Sequence, residues 1–227
     1  EKQMAFLEKV SPVTAQGKQS LPAPTLCPPC REQLRLTFRN EKNLYRRTCD
    51  VTGKDIISIY TPEGVSKVVD RAYWWSDDFD AKKYGRDVDF QKPFFEQYGE
   101  LFREVPRMAL LNMQSENSDF TNAVSHNKDC YMLFSADFNR NVLYSNWMVR
   151  SEDSLECTWM SNSQLCYQCI WGDTLYDCKY CINCSDTRES AFCFQCKNMS
   201  NCLFCTNLRG KQYCIFNKQY SKEDYER

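Results

Sequence analysis

Four things are scarce in this chain of 227 residues: net charge, glycine, histidine and long apolar runs. Lys and Arg number 29 against 30 Asp and Glu, a formal net charge of −1. No global field therefore draws the protein to nucleic acid or to an anionic membrane. Seven glycines beside an aromatic fraction of 14% argue against a disordered chain. The single histidine, His126, leaves His-dependent acid/base or metal chemistry one place to sit. No run approaches the roughly 20 apolar residues of a spanning helix, so no membrane helix is expected. Catalytic triads, phosphate-cradling loops and dinucleotide fingerprints are also missing. The chain opens at Glu1 without an initiator methionine or signal peptide and reads as an excised piece of a longer protein.

Cysteine is what the chain has in excess. Of fifteen cysteines, eleven fall from Cys157 to Cys214. Most keep a period of about twelve residues. With Cys130, Leu143, Leu155, Cys166, Cys178, Ala191, Cys202 and Cys214 in register, successive steps are 11 to 13 residues. A unit this short cannot bury its own apolar side and must stack on copies of itself, so a fixed period predicts a solenoid. Asn139, Asn141, Asn162, Asp173, Asn183, Asn198 and Asn201 suit turn corners, where a left-handed backbone is tolerated.

Within this repeat Cys-x2-Cys spacings recur. Cys166, Cys169, Cys178 and Cys181 have the count for one tetrahedral zinc, and Cys193, Cys196, Cys202 and Cys205 for a second. Against metal, the register counted above alternates cysteine with Leu143, Leu155 and Ala191, which points to an apolar core where a free thiol acts as a small hydrophobe. Stacked buried thiols are the favoured reading, metal sites and disulfide ladders the alternatives. A reducing compartment, and so a cytoplasmic location, fits the odd cysteine count best.

The rest of the chain divides at its composition shifts. Residues 1–60 read as a zinc-ribbon-like module, 61–116 as a small α/β capping region, 117–217 as the β-solenoid and 218–227 as a polar tail. The class is α+β. In the first module a short helix from Glu1 to Val10 precedes a proline-rich connector, and a second helix is expected from Arg31 to Tyr45, with Leu34, Phe38 and Leu44 on its buried side. Ile56 to Tyr60 reads as a strand by its β-branched content. Pro93 opens a helix whose Phe94, Phe95, Tyr98, Leu101, Phe102 and Val105 form one broad apolar face, expected to pack on a core.

Three candidate sites precede the repeat. Cys27-Pro28-Pro29-Cys30 with Cys49 offers three thiolates for a structural zinc, which takes four ligands at about 2.3 Å; His126 is a distant fourth. Arg31, Arg35, Arg39, Arg46 and Arg47, beside Phe38 and Tyr45, are a candidate phosphate- and base-contacting face for RNA or DNA. Its alternative is a solvated helix face paired to Glu32 and Glu41. From Asp77 to Asp89, Asp77, Asp78, Asp80, Asp87 and Asp89 lie beside Trp74, Trp75 and Tyr84. Paired carboxylates there suit acid/base chemistry or a hard cation, though the spacing matches no EF-hand loop. The alternative is an aromatic cap with its tryptophans buried on the first rung and Arg86 pairing a carboxylate.

Cys27-Pro28-Pro29-Cys30-Arg31, Arg39-Asn40-Glu41, Tyr45-Arg46-Arg47-Thr48-Cys49-Asp50, Trp74-Trp75-Ser76-Asp77, Tyr84-Gly85-Arg86-Asp87, Phe94-Phe95-Glu96-Gln97, Glu116-Asn117-Ser118 and Asn207-Leu208-Arg209-Gly210-Lys211-Gln212-Tyr213 together resemble a family of cysteine-rich, zinc-ribbon-bearing proteins of candidate-phyla-radiation (Patescibacteria) bacteria. The likeness covers nearly the whole chain. It implies that Cys27 and Cys30 are half of a four-cysteine zinc site whose other pair lies upstream, and it implies a cytoplasmic address. Taken together, the expectation is a non-enzymatic, zinc-stabilised binding or scaffold protein for a protein or nucleic-acid partner, able to self-associate through an uncovered solenoid edge. Its competitors are a nucleic-acid- or ribosome-associated module and an enzyme centred on Asp77–Asp89.

Overall fold

A computed structural model describes residues 2–15, 17–37, 39–64, 66–173 and 175–227. The chain forms two compact units, residues 1–40 and 41–227. The first contains helix α1 (Lys2–Val10), the short antiparallel pair β1 (Val13–Thr14) and β2 (Gly17–Lys18), and helix α2 (Pro28–Leu36). Pro28 and Pro29 pre-set the first turn of α2, and the Thr37 hydroxyl donates to Leu34 O at 2.6 Å where the helix ends. The expected helix from Arg31 to Tyr45 is therefore half that length. Phe38, assigned to its buried side, lies outside the described residues, and Leu34 is exposed.

The second unit begins with an antiparallel hairpin, β3 (Tyr45–Thr48) on β4 (Asp55–Ser58). Tyr45 thus opens a strand. Val68 and Val69 of β5 are fully buried and pair in parallel with Arg107 and Met108 of β6. Between them lie α3 (Arg71–Trp74), a 3-10 turn (Ala81–Tyr84) and α4 (Phe94–Glu104).

From Asn112 the chain winds into a parallel β-solenoid of about 9 turns. Each residue bridges one twelve further on, as Asn112 does Val124, Asn146 does Thr158 and Cys202 does Cys214. One coil is therefore a single 12-residue repeat. Inside it runs a second period of three. Every third described residue from Gln114 to Phe216 has φ between 44° and 63°, and the residue after such a corner points inward as far as Leu208, whereas Lys211 and Asn217 in the last coil are exposed. A coil is thus four sides of three residues: inward, outward, left-handed corner. Of the asparagines and aspartates read as corners, Asn141, Asn162, Asn183, Asn198 and Asn201 occupy them, whereas Asn139 is buried and Asp173 stands at an outward position bridged to Ser161 and Ser185.

Four columns of inward side chains fill the tube. In one, the strict register runs Cys130, Val142, Ser154, Cys166, Cys178, Ser190, Cys202 and Cys214. Leu143, Leu155 and Ala191, placed in this register by sequence, lie one residue outside it and face outward. The irregular steps came from reading those apolar neighbours instead of Val142 and the small inward serines.

Backbone hydrogen bonding explains the residue choice. The outward N–H of Lys128 donates to Asn139 O and the corner N–H of Asp129 to Glu116 O, so coils are laddered at two of every three residues. The third, inward N–H needs an acceptor inside the tube. Where a small polar side chain sits one coil earlier in the same column, it supplies one: Ser145 Oγ accepts from Cys157 N at 3.0 Å, Ser190 Oγ from Cys202 N at 3.1 Å and Asn127 Oδ1 from Asn139 N at 2.8 Å. Cysteine does the same with sulfur. The Cys181 N–H acts on the Cys169 sulfur and the Cys205 N–H on the Cys193 sulfur, each favouring the thiolate. Its thiol also donates to the carbonyls two residues back and nine ahead: Cys169 reaches Tyr167 O at 3.4 Å and Cys178 O at 3.3 Å. Larger residues are matched by small ones. A Cβ on Gly172 would meet Leu175 Cδ1 at 2.1 Å and Met160 Sδ at 2.8 Å.

The solenoid's last coil is closed. Lys218 and Gln219 turn back antiparallel on Ile215 and Cys214. Helix α5 (Lys222–Tyr225), capped by Ser221 Oγ accepting from Asp224 N, brings Tyr225 5.7 Å from Tyr213.

Candidate functional site on the solenoid surface

Aromatic residues occupy one left-handed corner column in the second half of the solenoid. Tyr180, Phe192, Phe204 and Phe216 stack at 5.0, 4.8 and 5.2 Å between ring centroids, with planes within 15° of parallel. That spacing is the rise of one coil. A non-glycine residue at positive φ costs roughly 1 kcal/mol or more, and each stacked pair returns about 0.5–1.5 kcal/mol. The rings remain about half exposed, Phe216 three-quarters. Beside them on the same side are the outward residues Ala191, Leu203 and Ile215. Round the adjoining corner stand Ile170, Ile182 and Phe194, with Trp159 4.9 Å from Trp147 and 6.1 Å from Trp171. A shallow groove of about 380 Å³ runs between the two sides, lined by Glu156, Thr158, Gln168, Ile170, Tyr180 and Ile182.

Elsewhere the solenoid surface is mostly polar, with Phe138, Leu165 and Tyr176 as exposed exceptions. One outward column carries Glu116, Lys128, Arg140 and Glu152, with ion pairs Lys128–Glu116 (3.4 Å) and Arg140–Glu152 (3.9 Å). The corner beside it carries Asn117, Asp129, Asn141, Asp153, Asp177 and Glu189; Asn117 Nδ2 donates to Asp129 and Asn141 Nδ2 to Asp153, both at 2.7 Å. The solenoid is amphipathic around its girth, as a surface helix is.

The repeat cysteines belong to the core beneath this surface. All from Cys130 to Cys214 are buried free thiols. Burial pushes Cys202 up to about 12 and raises Cys193 and Cys196. Cys181 is raised by hydrogen bonding to Cys169, Cys178 and Cys184 and by burial, and the same thiol–thiol contacts lower Cys169 and Cys184. A protonated thiol is a poor ligand and a poor nucleophile. Among the described residues no three His, Cys, Asp or Glu side chains come together as a metal set. The spacing that suggests paired knuckles, Cys166-x2-Cys169 and Cys178-x2-Cys181, is the three-residue side of a coil.

In the N-terminal unit, Cys27 and Cys30 are exposed, with sulfurs 3.2 Å apart at the start of α2. Hydrogen bonds from the Cys30 N–H and thiol hold the Cys27 thiol below its usual value. Two thiolates on one tetrahedral zinc stand about 3.8 Å apart, given bonds of about 2.3 Å, so the pair has the right reach but supplies two ligands of four. Cys49, in the second unit, is buried; its Sγ accepts from Thr52 N at 3.4 Å and Asp70 N at 3.3 Å. As they stand, the described residues do not complete a zinc site.

The arginines do not share one helix. Arg31 and Arg35 lie on α2, Arg39 beyond it, and Arg46 and Arg47 on β3. The Arg31 guanidinium lies 2.9 and 3.2 Å from the Gln3 side-chain amide. Arg47 is almost buried and structural: it pairs with Asp50 at 3.0 Å and donates to Thr61 O and Ser66 O. Arg35, Arg39 and Arg46 are exposed.

The acidic residues of the Asp77–Asp89 segment take separate local roles. Asp80 caps the 3-10 turn through Lys82 N, and Asp89 accepts from Gln91 N. Arg86 binds Glu100 and Glu104 of α4 at 2.9 and 2.5 Å rather than an aspartate of the cluster. Trp74 stacks on Phe79 at 5.3 Å, but Trp75 is 58% exposed, so the tryptophans are not buried on a first rung. Helix α4 also departs from expectation. Phe94, Phe95, Tyr98 and Phe102 are exposed, and no residue of the helix is buried.

Comparison with protein-family models finds none that matches, and comparison with curated proteins finds no match. Among the described residues no helix is long and apolar enough to cross a membrane.

Proposed function

We propose that this chain is a non-enzymatic binding or scaffold protein that docks a partner on the aromatic side of its solenoid. One observation supports the reading most: a near-continuous, charge-poor strip of half-exposed aromatic rings on a rigid parallel scaffold. Such a strip exceeds what a monomer's surface ordinarily leaves to water. The interior of that scaffold is thiol, methyl and hydroxyl, all engaged in packing. In this proposal a structural zinc belongs to the Cys27–Cys30 knuckle alone, with two further ligands from outside the described set.

A nucleic-acid role has less support, because Arg47 is spent inside the fold and the remaining arginines divide between two units. It predicts affinity that falls steeply with salt. The test of the docking reading is Phe204→Glu. A ring that serves docking leaves the solenoid folded when replaced, with unchanged circular dichroism at 25 °C and melting lowered by no more than about 8 °C. Unfolding at 25 °C would assign the Phe204 ring to the stabilising core and pass the test to Phe216, the most exposed ring of the ladder; a Phe216→Gln chain that also unfolds ends the docking reading.

A further inference from the structure

We propose that the partner docked on the aromatic ladder is a second copy of this chain, the two solenoids meeting ladder to ladder about a two-fold axis. The inference rests on the docking reading above and names its occupant.

Area is the first argument. A large side chain offers about 200 Å² when free, and exposures of 40–74% leave about 100 Å² on each of Tyr180, Ile182, Phe192, Phe194, Phe204 and Phe216. Those six present about 600 Å², and Trp159 and Trp171 extend the patch to about 800 Å². A standard stable interface removes about 800 Å² from each partner. The surface available is thus the size one half of a dimer needs.

Charge is the second. The ladder corners Tyr180, Phe192, Phe204 and Phe216 and the flanking Ala191, Leu203 and Ile215 carry no charge, and the one ionised group of that flanking column beside the ladder, Lys179, is paired with Asp177 at 3.2 Å, so two copies meet there with little like-charge repulsion. The corner column with Asp129, Asp153, Asp177 and Glu189 is acidic and repels itself. The aromatic side of the solenoid's second half is the better suited of the two to its own copy.

Periodicity is the third. The rings recur at 4.8–5.2 Å, and a second copy has the same recurrence. With a half-coil offset, rings of one ladder sit between rings of the other along the whole strip. An unrelated globular surface has no such repeat. A two-fold pairing uses the same patch on both chains and closes the assembly, the commonest arrangement of soluble homo-oligomers.

The test is sedimentation equilibrium of the full chain at micromolar concentration in reducing buffer. The expected mass is twice 26.8 kDa. Phe204→Glu weakens association at least tenfold, while Asn198→Glu, in the same backbone conformation on the opposite corner, leaves it unchanged. A wild-type chain that sediments at 26.8 kDa overturns the dimer; if Phe204→Glu is still folded, the docking reading survives with another occupant. A Phe204→Glu chain that dimerises like wild type also overturns the proposal and moves the contact elsewhere, with Phe95→Glu on α4 as the variant that locates it. If Phe204→Glu does not fold, Phe216→Gln at the exposed end of the ladder asks the same question: weaker association supports the proposal, and unchanged association overturns it.

Discussion

Replacing Cys169 separates three descriptions of the core. Its side chain is fully buried, shares its thiol hydrogen between Tyr167 O and Cys178 O, and lies against the Cys181 N–H. Cys169→Ala removes the sulfur and leaves an inward N–H without an acceptor. Lost burial and the small cavity cost about 1 kcal/mol, and the orphaned donor about 1–2 kcal/mol more, a total of about 2–3 kcal/mol. For a domain of this size that lowers melting by about 4–12 °C. Cys169→Ser keeps both functions. Ser145, two coils earlier in the same column, donates to Leu143 O at 2.8 Å and accepts from Cys157 N at 3.0 Å. The serine variant is therefore expected to lose no more than about 1 kcal/mol. The assay is urea unfolding of wild type and both variants under reducing conditions. A serine variant as unstable as the alanine one would refute the hydrogen-bonded rung. It would make the thiol either a plain hydrophobe or a metal ligand.

Three further outcomes follow from the same geometry. Unfolded thiols lose their protons near pH 8.5–9, whereas burial holds Cys202 up to about 12. Between those values the folded state binds more protons, so stability complete below pH ~8.5 falls as pH rises, by up to about 1.4 kcal/mol per unit per such thiol; urea midpoints from pH 7.5 to 10.5 measure it, and a flat profile contradicts buried protonated thiols. Leu165 sits exposed at a left-handed corner with φ 54°, so Leu165→Gly should raise stability by up to about 1 kcal/mol despite losing an apolar side chain; a loss of more than that in calorimetry contradicts the corner geometry. Deleting residues 218–227 uncovers the last coil's strand edge, and concentration-dependent filament growth is expected by light scattering; a truncated chain that stays dispersed contradicts the capping role.

The twelve-residue solenoid was legible because inward cysteines recur at its period, and those between Cys157 and Cys214 outnumber their replacements. The three-residue side was visible too, as repeated Cys-x2-Cys, but the same spacing serves zinc knuckles. Only the columns show that each such pair is two successive sides of one coil. Serine hid the strict register: Ser154 and Ser190 fill inward positions, and the apolar residues beside them face outward. The aromatic ladder could have been found by writing the chain in rows of twelve, which aligns Tyr180, Phe192, Phe204 and Phe216. The arginine pattern at 31, 35 and 39 fits a longer helix than forms, since Tyr45 to Thr48 instead pair with Asp55 to Ser58. For α4, amphipathic periodicity correctly marks an apolar face but says nothing about what covers it.

Cysteine labelling read by mass spectrometry tests the central claim, that the repeat is held by buried core thiols, most directly. The chain is alkylated folded and unfolded, with and without a zinc chelator. Thirteen of the fifteen cysteines are buried, and Cys27 and Cys30 alone are exposed. The account predicts that only Cys27 and Cys30 label in the folded chain, that only they respond to chelator, and that the other thirteen label on unfolding. Chelator-dependent labelling of any cysteine from Cys130 to Cys214 in the folded chain would contradict it.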